Sequence, residues 1–166
     1  ALNPAGTRAY VTNELSSTLS VIDTATNTVT ATLGVGFTPR GVVVNPAGTR
    51  VYVANFFSHN VSVIDTATNA VVGTVAVGNS PQGIAINPAG SFVYVSNQVS
   101  GTVSVINTGT DTVVATVTVG QFPFGIAVNP AGTRAYVANV RDDNVSVIDT
   151  ANNTVATTVT RWRRSS

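Results

Sequence analysis

Residues 45–86 read NPAGTRVYVANFFSHNVSVIDTATNAVVGTVAVGNSPQGIAI, and the rest of the chain is this stretch copied. Asn45-Pro46-Ala47-Gly48 has counterparts beginning at Asn3, Asn87 and Asn129, so the offsets 45−3, 87−45 and 129−87 are each 42 residues. Four copies in unbroken phase are an internal repeat, and a period of this length governs the reading of every motif inside it.

Each copy resolves into four short strands. Gly41-Val42-Val43-Val44 is a continuous apolar run, the pattern of a strand covered on both faces. Asn45-Pro46-Ala47-Gly48 interrupts it as a turn. Arg50 to Asn55 is a second strand, rich in β-branched and aromatic residues, and Phe56 to Asn60 is a loop. Val61 to Ile64 is a third strand and Val71 to Val77 a fourth, joined by Asp65-Thr66-Ala67-Thr68-Asn69. Asn107 stands where the other copies have this aspartate and can make the same turn bond, so the position reads as turn chemistry rather than acid–base chemistry. No window carries a sustained helical period.

Four strands in a unit of about 40 residues, repeated in tandem, is the pattern of a β-propeller blade. The expected fold is all-β: one propeller module over residues 1–160, with blades at about 1–36, 37–78, 79–120 and 121–160. Ala1-Leu2 aligns with Val43-Val44, so the first blade lacks most of its inner strand. Residues 161–166, RWRRSS, fit no repeat position and read as a tail. Small Ala85 and Ala127 replace Val43, which suits a crowded ring centre. Tyr10, Tyr52, Tyr94 and Tyr136 recur on the second strand and are expected between blades, as scaffold rather than a ligand box.

Bulk composition narrows the function classes. Hydrophobic residues make up 43% and charged residues 9% of 166, which opposes disorder. A net charge of +1 opposes a nucleic-acid or anionic-membrane footprint. The absence of cysteine excludes disulfides and thiolate metal sites, and no apolar run approaches a membrane span. With neither an initiator methionine nor a signal peptide, the chain reads as a mature product or an excised piece.

Tyr10-Val11-Thr12-Asn13 spells the signature of the YVTN β-propeller repeat family, and Val61 to Thr68 resembles its companion segment. Pro39-x-Gly41, Pro81-x-Gly83 and Pro123-x-Gly125 are similar to the start of that family's inner strand. The resemblance covers essentially residues 1–160. It implies a blade of microbial surface-layer and secreted proteins, hence an extracellular or cell-surface setting. Related propellers include lactonase-like enzymes and cofactor-carrying reductase domains, so fold does not fix function.

The Asn-Pro-Ala-Gly and Asp-Thr-Ala turns fall on one face of such a module and scarcely vary. The other connections fall on the opposite face and vary widely. There the loop between strands two and three changes from Glu14-Leu15 to Phe56-Phe57, Gln98-Val99 and Val140-Arg141. The candidate binding face is therefore Phe37, Arg40, Phe56, Phe57, His59, Gln82, Gln98, Phe122, Phe124, Arg141, Asp142 and Asp143. Within it Glu14, Arg40 and His59 are the sharpest constellation, able in principle to do acid–base work or bind an anion. Large apolar residues in loops suggest that Phe56, Phe57, Phe122 and Phe124 line or plug a channel mouth.

Other signals are weaker. Asp142-Asp143-Asn144 lacks the spaced oxygens of a calcium loop, so no metal is expected. Asn60-Val61-Ser62, Asn144-Val145-Ser146 and Asn152-Asn153-Thr154 match glycosylation acceptors by chance as readily as by design. One histidine and no cysteine oppose a haem- or quinone-carrying role, and no cofactor is expected. The leading expectation is a non-catalytic binding, interaction or structural module, whether natural fragment or designed array, with a protein or carbohydrate ligand and without nucleic acid or membrane insertion. The alternative is a lactonase-like enzyme using Glu14, Arg40 and His59. An open arc of four blades would leave two flat faces in water, so a homodimer closing one eight-bladed ring is also expected.

Overall fold

The computed structural model describes residues 1–160. The expectations for residues 161–166, including that they complete the first blade, lie outside these. Among the described residues there are fifteen strands and no helix.

Blade one holds β1 (Arg8–Asn13), β2 (Thr18–Asp23) and β3 (Thr28–Gly34). Blade two holds β4 (Pro39–Val44), β5 (Arg50–Asn55), β6 (Asn60–Asp65) and β7 (Ala70–Ala76). Blade three holds β8 (Pro81–Ile86), β9 (Phe92–Asn97), β10 (Thr102–Asn107) and β11 (Thr112–Thr118). Blade four holds β12 (Pro123–Val128), β13 (Arg134–Asn139), β14 (Asn144–Asp149) and β15 (Thr154–Thr160). Each blade is an antiparallel meander, four-stranded in blades two to four and three-stranded in blade one. The remnant inner strand survives only as a bridge between Leu2 and Ala9.

The apolar face of each strand is buried between blades, not inside one. Tyr10, Leu19 and Val21 of blade one pack against Val51, Val53 and Ile64 of blade two. The next seam sets Tyr52, Ala54, Val61, Val63 and Val75 against Val93, Val95 and Ile106. The third sets Tyr94, Val103, Val105 and Val117 against Ala135, Val137 and Ile148. Burying one valine contributes roughly 1.5–3 kcal/mol, so these seams hold the arc together. Tyr10, Tyr52 and Tyr94 are each 1% exposed, whereas Tyr136, with no following blade, is 44% exposed.

The turns repeat as closely as the strands. Asp23 and Asp65 accept the backbone amides of residues 25 and 26, and 67 and 68, and Asn107 accepts that of Gly109 at 2.8 Å. The backbone bonds at Thr26 and Thr68 chiefly hold the Asp23 and Asp65 carboxyls below the ordinary range. Thr24, Thr66, Thr108 and Thr150 donate to the carbonyls of Gly6, Gly48, Gly90 and Gly132, lacing the two turns of each blade together. Asn55, Asn97 and Asn139 close β5, β9 and β13 as buried brackets, each donating to the side-chain oxygens of two residues on the following strand. Asn60 and Asn144, two of the glycosylation matches, are spent as acceptors in these brackets.

The inner strand packs on both faces, Val42 and Val44 against the seam with blade one and Gly41 against Gln82 and Ile84 of β8, although Gly41, Val42 and Val44 are only half-buried. The outer strand carries an unforeseen bulge, with Val63 opposite Gly73 but Ile64 opposite Val71, so that Val72 has no partner. The same slip recurs in the other three blades.

Candidate functional site

Where the inner strands start, side chains at equivalent positions meet on the variable-loop face. Arg40, Gln82 and Phe124 are the second residues of β4, β8 and β12, each after the proline that opens the strand. They border a hollow of about 540 Å³ lined by Thr12, Glu14, Pro39, Arg40, Gly41, Gln82 and Phe124.

Arg40 is its centre. Its Nε and Nη2 donate to Glu14 Oε1 at 3.1 and 3.0 Å, and its Nη1 makes a short bond to Gln82 Oε1. The guanidinium also stacks 3.8 Å from the centroid of the Phe56 ring, which meets Phe57 edge-on at 5.0 Å. With side-chain exposures of 28% and 50%, the Arg40–Glu14 pair is partly wet, and such a pair contributes at most about 1 kcal/mol. Its value is positional: one planar cation is fixed between two blades.

His59 does not join them. It lies in the β5–β6 loop with φ 53°, and its Nδ1 accepts the Ser80 amide at 3.0 Å. It is absent from the lining of the hollow, so the Glu14–Arg40–His59 constellation reduces to the ion pair. The phenylalanines also divide. Phe124 forms one wall of the hollow, and Phe122 lies under the Arg141 guanidinium at 4.9 Å. Phe37 and Phe57 project into solvent, 70% and 64% exposed. Gln98 is half-buried and bonds through its backbone amide to Ser80 O at 2.9 Å.

The loops that look free in sequence hide a repeated contact. The amides of Phe37, Asn79 and Gln121 donate to Ser58 Oγ, Ser100 Oγ and Asp142 Oδ2 at 2.7, 2.7 and 2.8 Å. Asp142 is thus a loop tether. Asp143 has φ 54° and borders an outer groove with Val140 and Asn144. No group of three or more metal-ligating side chains converges among the described residues. No helix there is long and apolar enough to cross a membrane.

An arc of four propeller blades with a polar hollow at the mouth defines a β-propeller segment with a candidate ligand site. The chain belongs to the family described as Lactonase, 7-bladed beta-propeller, whose model matches residues 1–114 and 78–162. Among solved structures, Kuenenia stuttgartiensis Hydrazine Synthase is similar at 26% identity with a TM-score of 0.90. That alignment covers 98% of this chain and 50% of the other. A functionally unknown protein from Desulfotomaculum acetoxidans DSM 771 aligns at 21% identity and a TM-score of 0.83, over 98% and 56% of the two chains, a likeness of fold alone. The chain therefore spans about half the length of these structures. No curated protein matches it.

Proposed function

We propose that this segment binds a ligand without transforming it, and that the hollow around Arg40 takes a small polyhydroxylated molecule, a sugar or the lactone of a sugar acid. The convergence of Thr12, Glu14, Arg40 and Gln82 beside the Phe124 ring carries this reading. Such a concave site pairs a few placed polar groups with an apolar wall, which suits a ring with hydroxyls at its rim. Glu14 is engaged with Arg40, and the His59 ring turns to the Ser80 amide and away from the hollow. Finer assignment to YVTN repeats, and with it an extracellular or cell-surface setting, rests on Tyr10-Val11-Thr12-Asn13 and the repeated Pro-x-Gly segments.

Titration with glucose and with glucono-δ-lactone, followed by amide chemical shifts, tests the reading. Saturable shifts are expected around residues 12–14, 40, 82 and 124, lost in Arg40→Ala and Phe124→Ser. Absence of saturation with either probe at millimolar concentration removes the proposal.

The family match favours a second reading, lactone hydrolysis at the same hollow. It predicts ring opening of glucono-δ-lactone faster than the spontaneous rate, and loss of that acceleration in Glu14→Gln.

A further inference from the structure

The charges at the hollow belong to one seam. Glu14 of blade one stands where the later copies have Phe56, Gln98 and Val140, and Arg40 of blade two stands where they have Gln82 and Phe124. One carboxylate and one guanidinium thus enter an otherwise neutral row of side chains at facing positions. Among the described residues that line the hollow, they are the one anion and the one cation.

Their mutual bonds leave no free charge for a ligand. Of the five N–H donors of a guanidinium, Arg40 gives two to Glu14 Oε1 and one to Gln82 Oε1, and the Phe56 ring covers one of its faces. Two N–H donors remain. Gln82 turns its oxygen to Arg40 and keeps its amide NH2 as a neutral donor. Thr12 gives its hydroxyl hydrogen to Arg40 O at 2.8 Å and keeps its lone pairs as acceptors. This mixture of donors and acceptors matches hydroxyl groups, each of which is both. A carboxylate offers acceptors alone.

A ligand with a carboxylate would also meet Glu14. To reach Arg40 it must displace Glu14, so the new ion pair gains only what the old one gave. The displaced carboxylate stays tethered beside it by its own loop. Two like charges a few ångströms apart at a half-wet site oppose each other by roughly ten- to a hundredfold in affinity.

We propose, resting on the sugar-binding reading of this hollow, that Glu14 is its charge filter: uncharged sugar rings and lactones enter, and sugar acids are turned away. The filter gives the site a direction. When water opens a lactone, the acid that forms loses its proton and carries the charge that Glu14 rejects.

Glucose and glucuronate, one sugar ring without and with a carboxylate, are the matched probes. Amide chemical shifts of the chain at low ionic strength read their binding. Wild type is expected to bind glucose more tightly than glucuronate by about tenfold or more. Glu14→Gln removes the charge and keeps the shape, so it should raise glucuronate affinity relative to glucose by about ten- to a hundredfold, a gain that added salt erases. Glu14→Asp keeps the charge and should keep the preference for glucose. Equal affinity of wild type for the two probes overturns the filter and leaves the sugar reading standing. So does a Glu14→Gln variant that retains the wild-type preference. Glucuronate binding to Glu14→Gln without any response of wild type to glucose supports the filter and removes the sugar reading alone. Silence of wild type and variants toward both probes overturns both.

Discussion

Ser96 donates its hydroxyl to the carbonyl oxygen of Phe124 at 2.6 Å, tying β9 of blade three to the inner strand of blade four, and its oxygen accepts the Gly83 amide at 2.9 Å. Thr12 makes the matching bond to Arg40 O at 2.8 Å across the first seam. At the middle seam the same position is Ala54, which is fully buried and has no hydroxyl to give. At this position two seams are therefore pinned by a hydroxyl and the middle one is not, its side-chain bonds being those of Arg40 to Gln82 and of the Ser80 amide to His59.

Ser96→Ala should cost about 1–3 kcal/mol, because a carbonyl and an amide lose their partner at a buried site. Ala54→Ser should be neutral to stabilising by about 1 kcal/mol as the third pin forms. Urea unfolding of both variants checks the pair, and a destabilised Ala54→Ser would show that the middle seam has a different spacing.

Gly83 and Gly125 hold equivalent positions in unlike surroundings. A Cβ on Gly83 would sit 2.2 Å from Phe124 O and 3.0 Å from Ser96 Oγ, so the inner strands would have to part. Gly83→Ala is expected to cost about 1–3 kcal/mol or more. Gly125→Ala meets open space and should leave the melting temperature of the single chain within a degree or two of wild type, about the shift of a sub-kcal change. Calorimetry at low protein concentration separates the two.

Burial, helped by the Asp111 carboxylate and opposed by Arg50, pushes the Tyr52 hydroxyl up to about 12. A tyrosine whose folded value lies above its ordinary one contributes stability that is complete below pH 10 and is lost as pH rises through about 12. Wild type should therefore lose up to about 2–3 kcal/mol across that window relative to Tyr52→Phe. Asp111→Asn should make the loss smaller and end it at lower pH, since without the neighbouring carboxylate the folded tyrosine ionises nearer its ordinary value. Equal alkaline melts for wild type and Tyr52→Phe would remove Tyr52 from the account.

The loop phenylalanines and the seam valines should differ in kind. Val63 is wholly buried, while Phe57 and Phe124 are 64% and 46% exposed. Val63→Ser is expected to cost about 1–3 kcal/mol, because a hydroxyl enters a seam without a partner. Phe57→Ser and Phe124→Ser should stay within about 0.5 kcal/mol, as surface changes do. Thermal melts of the three variants rank them, and equal losses would make the phenylalanines part of the core.

The strands and turns were legible because a 42-residue period forces every copy to solve the same packing problem with nearly the same letters. Tyr10, Tyr52 and Tyr94 could be placed between blades on recurrence alone. The outer-strand bulge could not, since Val72, Thr30 and Ala156 share no letter that marks an unpaired residue. At the mouth, Glu14 and Arg40 were joined correctly because adjacent blades bring opposite charges together. His59 misled because its backbone is left-handed and its ring turns to Ser80 instead. The shared tether role of Ser58, Ser100 and Asp142 is not legible, Asp142 standing only as a binding-face candidate, because one bond is made by two residue types and the sequence drifts where the chemistry is held constant.

That tether sets the rule for redesigning the module. A new recognition peptide grafted between β5 and β6 can replace Phe56 and Phe57, but a side-chain oxygen must remain where Ser58 stands. Without it the Phe37 amide is released, and the segment that delivers Arg40 to the hollow is left with only the backbone bonds from Phe56 and Phe57 to Thr38 O and Phe37 O. Libraries built on this face should therefore vary two positions per loop and hold the third to serine, aspartate or a near equivalent.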